Sequence, residues 1–164
     1  MLKSDVSTPF QPAARSEPAF DHLRVTTRLS IDYLLRTLQL VQSYTGLDYL
    51  TCLLLLAIIS ANTAGFDQNL DYQSRYAHQD DLPPPEARRP VSILSLSNAF
   101  GLPYETTRRH VNHLVDAGIA QKVRKGVVVP ESAGLSAELS DLRRSNLSNL
   151  QRLFRNLRKA GVDI

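Results

Sequence analysis

A mainly α-helical chain carrying one small β-hairpin is what this sequence predicts, and three observations predict it. Apolar residues recur at intervals of three and four over Ile31–Val41, Thr107–Val115 and Leu135–Leu157, the period of a helix with one buried face. Strand-like character is clearest in AQKVRKGVVVP, from Ala120 to Pro130. Glycines stand where the helical stretches stop, at Gly46, Gly101, Gly118 and Gly161.

Bulk composition fits this class and narrows little else. A chain of 164 residues with 43% apolar and 21% charged residues is long enough for a real core and short enough for one domain. The net charge of +3 is only mildly basic, so composition alone does not announce a nucleic-acid partner. Cys52 is the sole cysteine and lies in an apolar run, where a small buried hydrophobe is expected and no disulfide within one chain can form. No basic segment followed by an apolar run and a cleavage site opens the sequence, so the expected compartment is the cytoplasm.

The first 20 residues, rich in Ser and Pro and without periodicity, are expected to form a disordered tail. A helical pair is expected over 21–66. Its first member carries Ile31, Leu34, Leu35, Leu38 and Val41 on one side, with Ser30-Ile31-Asp32 as the start signal and Gly46 as the stop. Its second begins at Leu47 and contains YLTCLLLLAIISA, Tyr49 to Ala61. That run imitates a membrane span, but Asp48 and Asn62 close it well short of the roughly 18–20 residues a bilayer needs. A buried core helix, covered on several sides and in part by a second subunit, is the expectation, with no membrane involved.

Residues 67–90 form an arm with five acids, Asp67, Asp71, Asp80, Asp81 and Glu86, and the triplet Pro83-Pro84-Pro85, which cannot be helix interior. The spacing of Tyr72 and Tyr76 allows a short helical turn there. So long a connection suggests a functional arm, a partner-binding segment or a mobile linker, and one that can shield a basic face when DNA is absent. At the other end, 133–164 hold a long amphipathic helix with Ser136 as its cap and Arg155, Arg158 and Lys159 near its end.

Residues 91–132 carry the richest signal. VSIL, from Val91, reads as a short strand or extended lead-in, and Ser95 or Ser97 can cap the helix after it. Leu96, Phe100 and Leu102 face a core, Gly101 supplies a permissive turn, and Pro103 presets the next helix. On that helix Thr107, Val111, Leu114 and Val115 share one face. Advancing about 100° per residue puts Glu105, Arg109, His113 and Asp116 opposite them, flanked by Thr106 and Asn112. Gly118 ends the helix. Two short β runs follow, joined at Lys125-Gly126, with Lys122, Arg124 and Lys125 and no acid among them.

Strand, short helix, tight turn, longer helix with arginines at its start, basic hairpin: this order resembles the winged helix-turn-helix domain of bacterial transcriptional regulators of the MarR, GntR and IclR kinds. The resemblance rests on SLSNAFGLPYETTRRHVNHLVDAGIAQKVRKGVVV, about a quarter of the chain. Gly101 stands at the family's turn, Thr106-Thr107 and Arg108-Arg109 at its Thr-apolar and polar-Arg pairs, and Gly118-Ile119 before its wing. Thr107 replaces the usual Val or Ile, and Pro103-Tyr104 stands where Ser is common, so Tyr104 and Glu105 can shift base preference.

The resemblance implies a fold with N- and C-terminal helices flanking the winged core, and a sequence-specific DNA-binding regulator. Residues 103–117 would enter the major groove and 120–130 would reach backbone or minor groove. Arg109 suits a guanine or a phosphate, Arg108 a phosphate, Glu105 a cytosine amino group, and Thr106, Asn112 and His113 mixed or backbone contacts. Lys122, Arg124 and Lys125 would meet phosphates. The flanking helices would make a homodimer, and hence a pseudo-palindromic operator. The apolar second helix could also line a small-molecule effector pocket.

Other chemistries find little footing. His110 and His113 have a spacing that can bind metal on a helix, but no carboxylate or cysteine ligand accompanies them, so no metal is expected. No Gly-rich phosphate loop or nucleophile elbow is present, so neither an enzyme nor a cofactor is expected. The rival reading is a winged-helix module that binds protein instead of DNA.

Overall fold

The computed structural model describes residues 22–65, 87–130 and 137–162. The expected tail, the arm as far as residue 86, the Tyr72–Tyr76 turn and the Ser136 cap lie outside the described residues. Five helices and one two-stranded antiparallel sheet make up the rest: α1 (Leu23–Thr45), α2 (Tyr49–Thr63), α3 (Ile93–Phe100), α4 (Tyr104–Asp116), β1 (Gln121–Val123), β2 (Gly126–Val128) and α5 (Ala137–Lys159).

α1 begins seven residues before Ser30, which is therefore helix interior and no start signal. Its first turn is held by Thr26 and Thr27, whose hydroxyls donate to the carbonyls of His22 and Leu23. Gly46 stops it in the left-handed conformation (φ 68°), its N–H returning to the Gln42 carbonyl. Leu47 belongs to the connection, not to α2. Asp48 caps α2, its carboxylate accepting from the Thr51 N–H at 3.0 Å. No single described helix is long and apolar enough to cross a membrane; α1 and α2 qualify only together, and they bend by 101° at their junction.

α2 is the centre of the core. Cys52, Leu54, Leu55 and Ile58 pack with Val41, Leu96, Val111, Leu114, Ala120, Val127 and Val129 in one buried cluster. α2 meets α4, which in turn meets α3, and β2 closes the far end of α2. Asn62 pins that end. Fully buried, it donates to the carbonyls of Arg89 (2.8 Å) and Val127 (3.2 Å) and accepts from the Val129 N–H (2.9 Å).

The hairpin pairs Gln121 with Val128 and Val123 with Gly126, so the turn is Arg124-Lys125 and not Lys125-Gly126. Gly126 is needed for a different reason: at φ 147° a Cβ there would lie 2.3 Å from the Val91 carbonyl oxygen. Val91 reaches so close because it bridges to Val127 through two backbone hydrogen bonds, of 3.1 and 2.9 Å.

α1 and α5 lie antiparallel, as the pairing of Thr37 with Asn146 and of Asp32 with Arg152 requires. Their seam is partly polar: Asn149 donates to Thr37, and Tyr44 meets Ser145 at 3.1 Å. The expected one-sided burial of α1 fails. Val41 is buried, but Ile31, Leu34 and Leu35 are more than half exposed, as is Leu147 on α5. Among the described elements, α1 packs mainly against α5 and α2.

Candidate nucleic-acid interface

α3 and α4 are joined by a turn with a specific clasp. Ser92, not Ser95 or Ser97, caps α3, accepting from the Ser95 N–H at 3.0 Å. Ser97 is buried and spent elsewhere. Its hydroxyl donates to the Leu102 carbonyl at 2.7 Å, while the Leu102 N–H returns to the Ser97 carbonyl at 3.0 Å. Between them Gly101 takes φ 61°, and Pro103 stands immediately before α4. The two helices are thus held at a set angle by hydrogen bonds across the three-residue link 101–103.

α4 turns one face inward. Thr107, Val111 and Leu114 are fully buried, and Val115 is half-buried. Thr107 stands in an apolar position at little cost because its hydroxyl donates to the Pro103 carbonyl at 3.2 Å. At the far end, Gly118 takes φ 72°, and the N–H groups of Ile119 and Ala120 both return to the Leu114 carbonyl.

The outer face carries the residues singled out from sequence. Glu105, Thr106, Arg108, Arg109, Asn112, His113 and Asp116 line one open depression of about 510 Å³. Tyr104 is exposed beside it. Arg108 and Glu105 are paired, with guanidinium nitrogens 2.7 and 2.8 Å from one carboxylate oxygen. That bond holds the Arg108 guanidinium proton more tightly than usual. Arg109 has no ion-pair partner among the described residues and projects into solvent. Asn112 Oδ1 is buried with no hydrogen-bond partner among the described residues.

The hairpin adds Lys122, Arg124 and Lys125, all exposed. None of them lines the α4 depression, so the cations form two separate groups on neighbouring elements. No cluster of three or more His, Cys, Asp or Glu suited to a metal occurs among the described residues. His110 and His113 part company: His113 faces the depression, whereas His110 turns inward to α2, its Nδ1 2.7 Å from Thr51 Oγ1. Sequence reasoning missed Asp48 and Thr51 as supports of α4. The signal was present, since His110 falls beside Leu114 and Val111 when the helix is projected at about 100° per residue.

No protein-family model, no curated protein and no solved structure matches this chain.

Proposed function

We propose that the chain is a sequence-specific DNA-binding transcriptional regulator of winged helix-turn-helix form. α4 enters the major groove, and the β1–β2 hairpin lies on the backbone or in the minor groove as the wing. The observation that carries this reading is the outer face of α4: a continuous polar surface on a helix whose other face is locked into the core, with Arg109 exposed at its middle. An exposed guanidinium on a rigid helix suits bidentate contact with guanine. The Glu105–Arg108 pair presents a guanidinium already oriented for phosphate. Asn112 lines the same depression, where a side-chain amide suits adenine. Further support comes from the clasped α3–α4 turn and from Val91, which adds a third extended segment beside the hairpin.

The same reading makes the regulator a homodimer through α1 and α5. On α1, Ile31 and Leu35 lie roughly opposite the residues that meet α5 and Leu34 lies at the flank, and on α5 Leu147 and Phe154 point away from the seam. All five are more than 40% exposed, an apolar surface that a second copy would cover.

Selection of duplexes from a random-sequence pool tests the proposal. A two-fold-related consensus is expected, with half-sites about one helical turn apart. Enrichment of no sequence over repeated rounds would overturn it and favour a protein-binding module.

A further inference from the structure

His110 sits on α4 yet takes no part in its outer face, and its contacts define a relay to another helix. Asp48, the cap of α2, accepts from the Thr51 N–H and also from the Thr51 hydroxyl. The Thr51 oxygen, fully buried, lies 2.7 Å from His110 Nδ1. His110 Nδ1 is also 3.6 Å from Asp48 Oδ2, and its side chain is only 15% exposed.

The polarity of this chain of contacts follows from proton counting. A hydroxyl has one proton to give, and a carboxylate has none. Capping of the Asp48 carboxylate by the Thr51 hydroxyl, with the Thr51 N–H beside it, holds the carboxyl below the usual carboxylate range, so at neutral pH Asp48 is ionised. Thr51 therefore gives its proton to Asp48, and its oxygen must accept the next one. Among the described residues the donor within reach is Nδ1–H of His110, so Nδ1 carries a proton and the partner there dictates this choice.

We infer that His110 is a positioning residue: the relay Asp48–Thr51–His110 sets the seat of α4 on α2, and with it the aim of Arg109 at the bases. The inference rests on the DNA-binding reading above. α4 otherwise meets α2 through apolar side chains, which resist separation but permit sliding and rotation. A directional bond from α2 to the middle of α4 removes that freedom. Arg109 is the adjacent residue, so rotation about the helix axis moves it directly. Loss of the relay costs base discrimination more than general attraction to phosphate, because phosphate contact tolerates a misplaced guanidinium and a bidentate base contact does not.

Two measurements decide the matter. The first is the tautomer of His110, read on the unaltered protein at neutral pH from long-range nitrogen–proton correlations of the imidazole rings, with His110→Asn used to assign the signal. A protonated Nδ1 is expected; a proton on Nε2 alone overturns the relay. The second compares affinity for the pool-selected duplex with affinity for a scrambled one. His110→Ala and Thr51→Val should each cut the ratio roughly tenfold, the worth of about one well-placed hydrogen bond, with scrambled binding unchanged. His110→Asn, whose amide N–H can stand where Nδ1–H stood, should restore most of it. An unchanged ratio in the two disabling variants, or no rescue by asparagine, overturns the positioning role. Should the parent protein bind neither duplex, the functional reading itself fails, while the tautomer still reports whether the relay exists.

Discussion

At the scale of single residues, the two halves of the Arg108-Arg109 pair stand in different surroundings although they are chemically alike. Arg108 is tied to Glu105 one turn away, whereas Arg109 has no such partner among the described residues. Composition and spacing placed both on or beside the outer face, but the ion pair depends on rotamers that a pattern does not specify. Asp48 shows how local chemistry sets a residue's worth. Replacing it with alanine removes a cap and should cost about 1 kcal/mol in thermal or denaturant unfolding. Asp48→Asn keeps a capping oxygen but cannot titrate. The folded carboxyl lies below its ordinary range, chiefly through the Thr51 hydroxyl, so its contribution is present above the unfolded value and lost as pH falls through the folded one. The stability gap between parent and Asp48→Asn should therefore shrink on acidification through that window; a gap that widens there would contradict the assignment. Cys52 makes a complementary case. Burial pushes its thiol upward, so it should resist a thiol reagent in the native protein and react promptly in denaturant.

Among elements, α4 was the most legible from sequence. Its inward residues Thr107, Val111 and Leu114 follow from a 3.6-residue period, and Gly101 and Gly118 mark its approach and exit. The hairpin was legible in outline, but its turn was set one residue too late. The glycine there answers a close approach by Val91, a contact from outside the hairpin that no local rule could supply. Asn62 was legible only as the polar end of an apolar run. Its actual role joins α2 to Arg89, Val127 and Val129, partners up to 67 residues away. Replacing Asn62 with alanine strips one donor and one acceptor from three buried backbone groups and should destabilise by about 2–4 kcal/mol, measured by denaturant unfolding. A loss below about 0.5 kcal/mol would mean that the pin is incidental to the fold.

For the whole molecule, the sequence read α1 and α5 as amphipathic, yet the described structure leaves each with a second apolar surface. A period of three and four identifies an apolar side without saying what covers it, and here the coverage at one end of the pair is incomplete. The homodimer proposal accounts for that surface. Ile31→Glu together with Leu34→Glu places charges on it and should yield a folded monomer in sedimentation experiments; an unchanged sedimentation coefficient would remove α1 from the interface. A monomer so made should also bind the selected duplex much more weakly than the parent dimer, since linked half-sites gain from effective concentration.

The central claim, that the outer face of α4 reads DNA, is met most directly by fluorescence anisotropy on the selected duplex across a salt series, with Arg109→Ala beside the parent protein. The account predicts affinity that falls steeply as salt rises, and a loss of about 1–3 kcal/mol for Arg109→Ala on the selected duplex with little change on a scrambled one. No binding to either duplex at low salt, or equal affinity of parent and Arg109→Ala for the selected sequence, would contradict it.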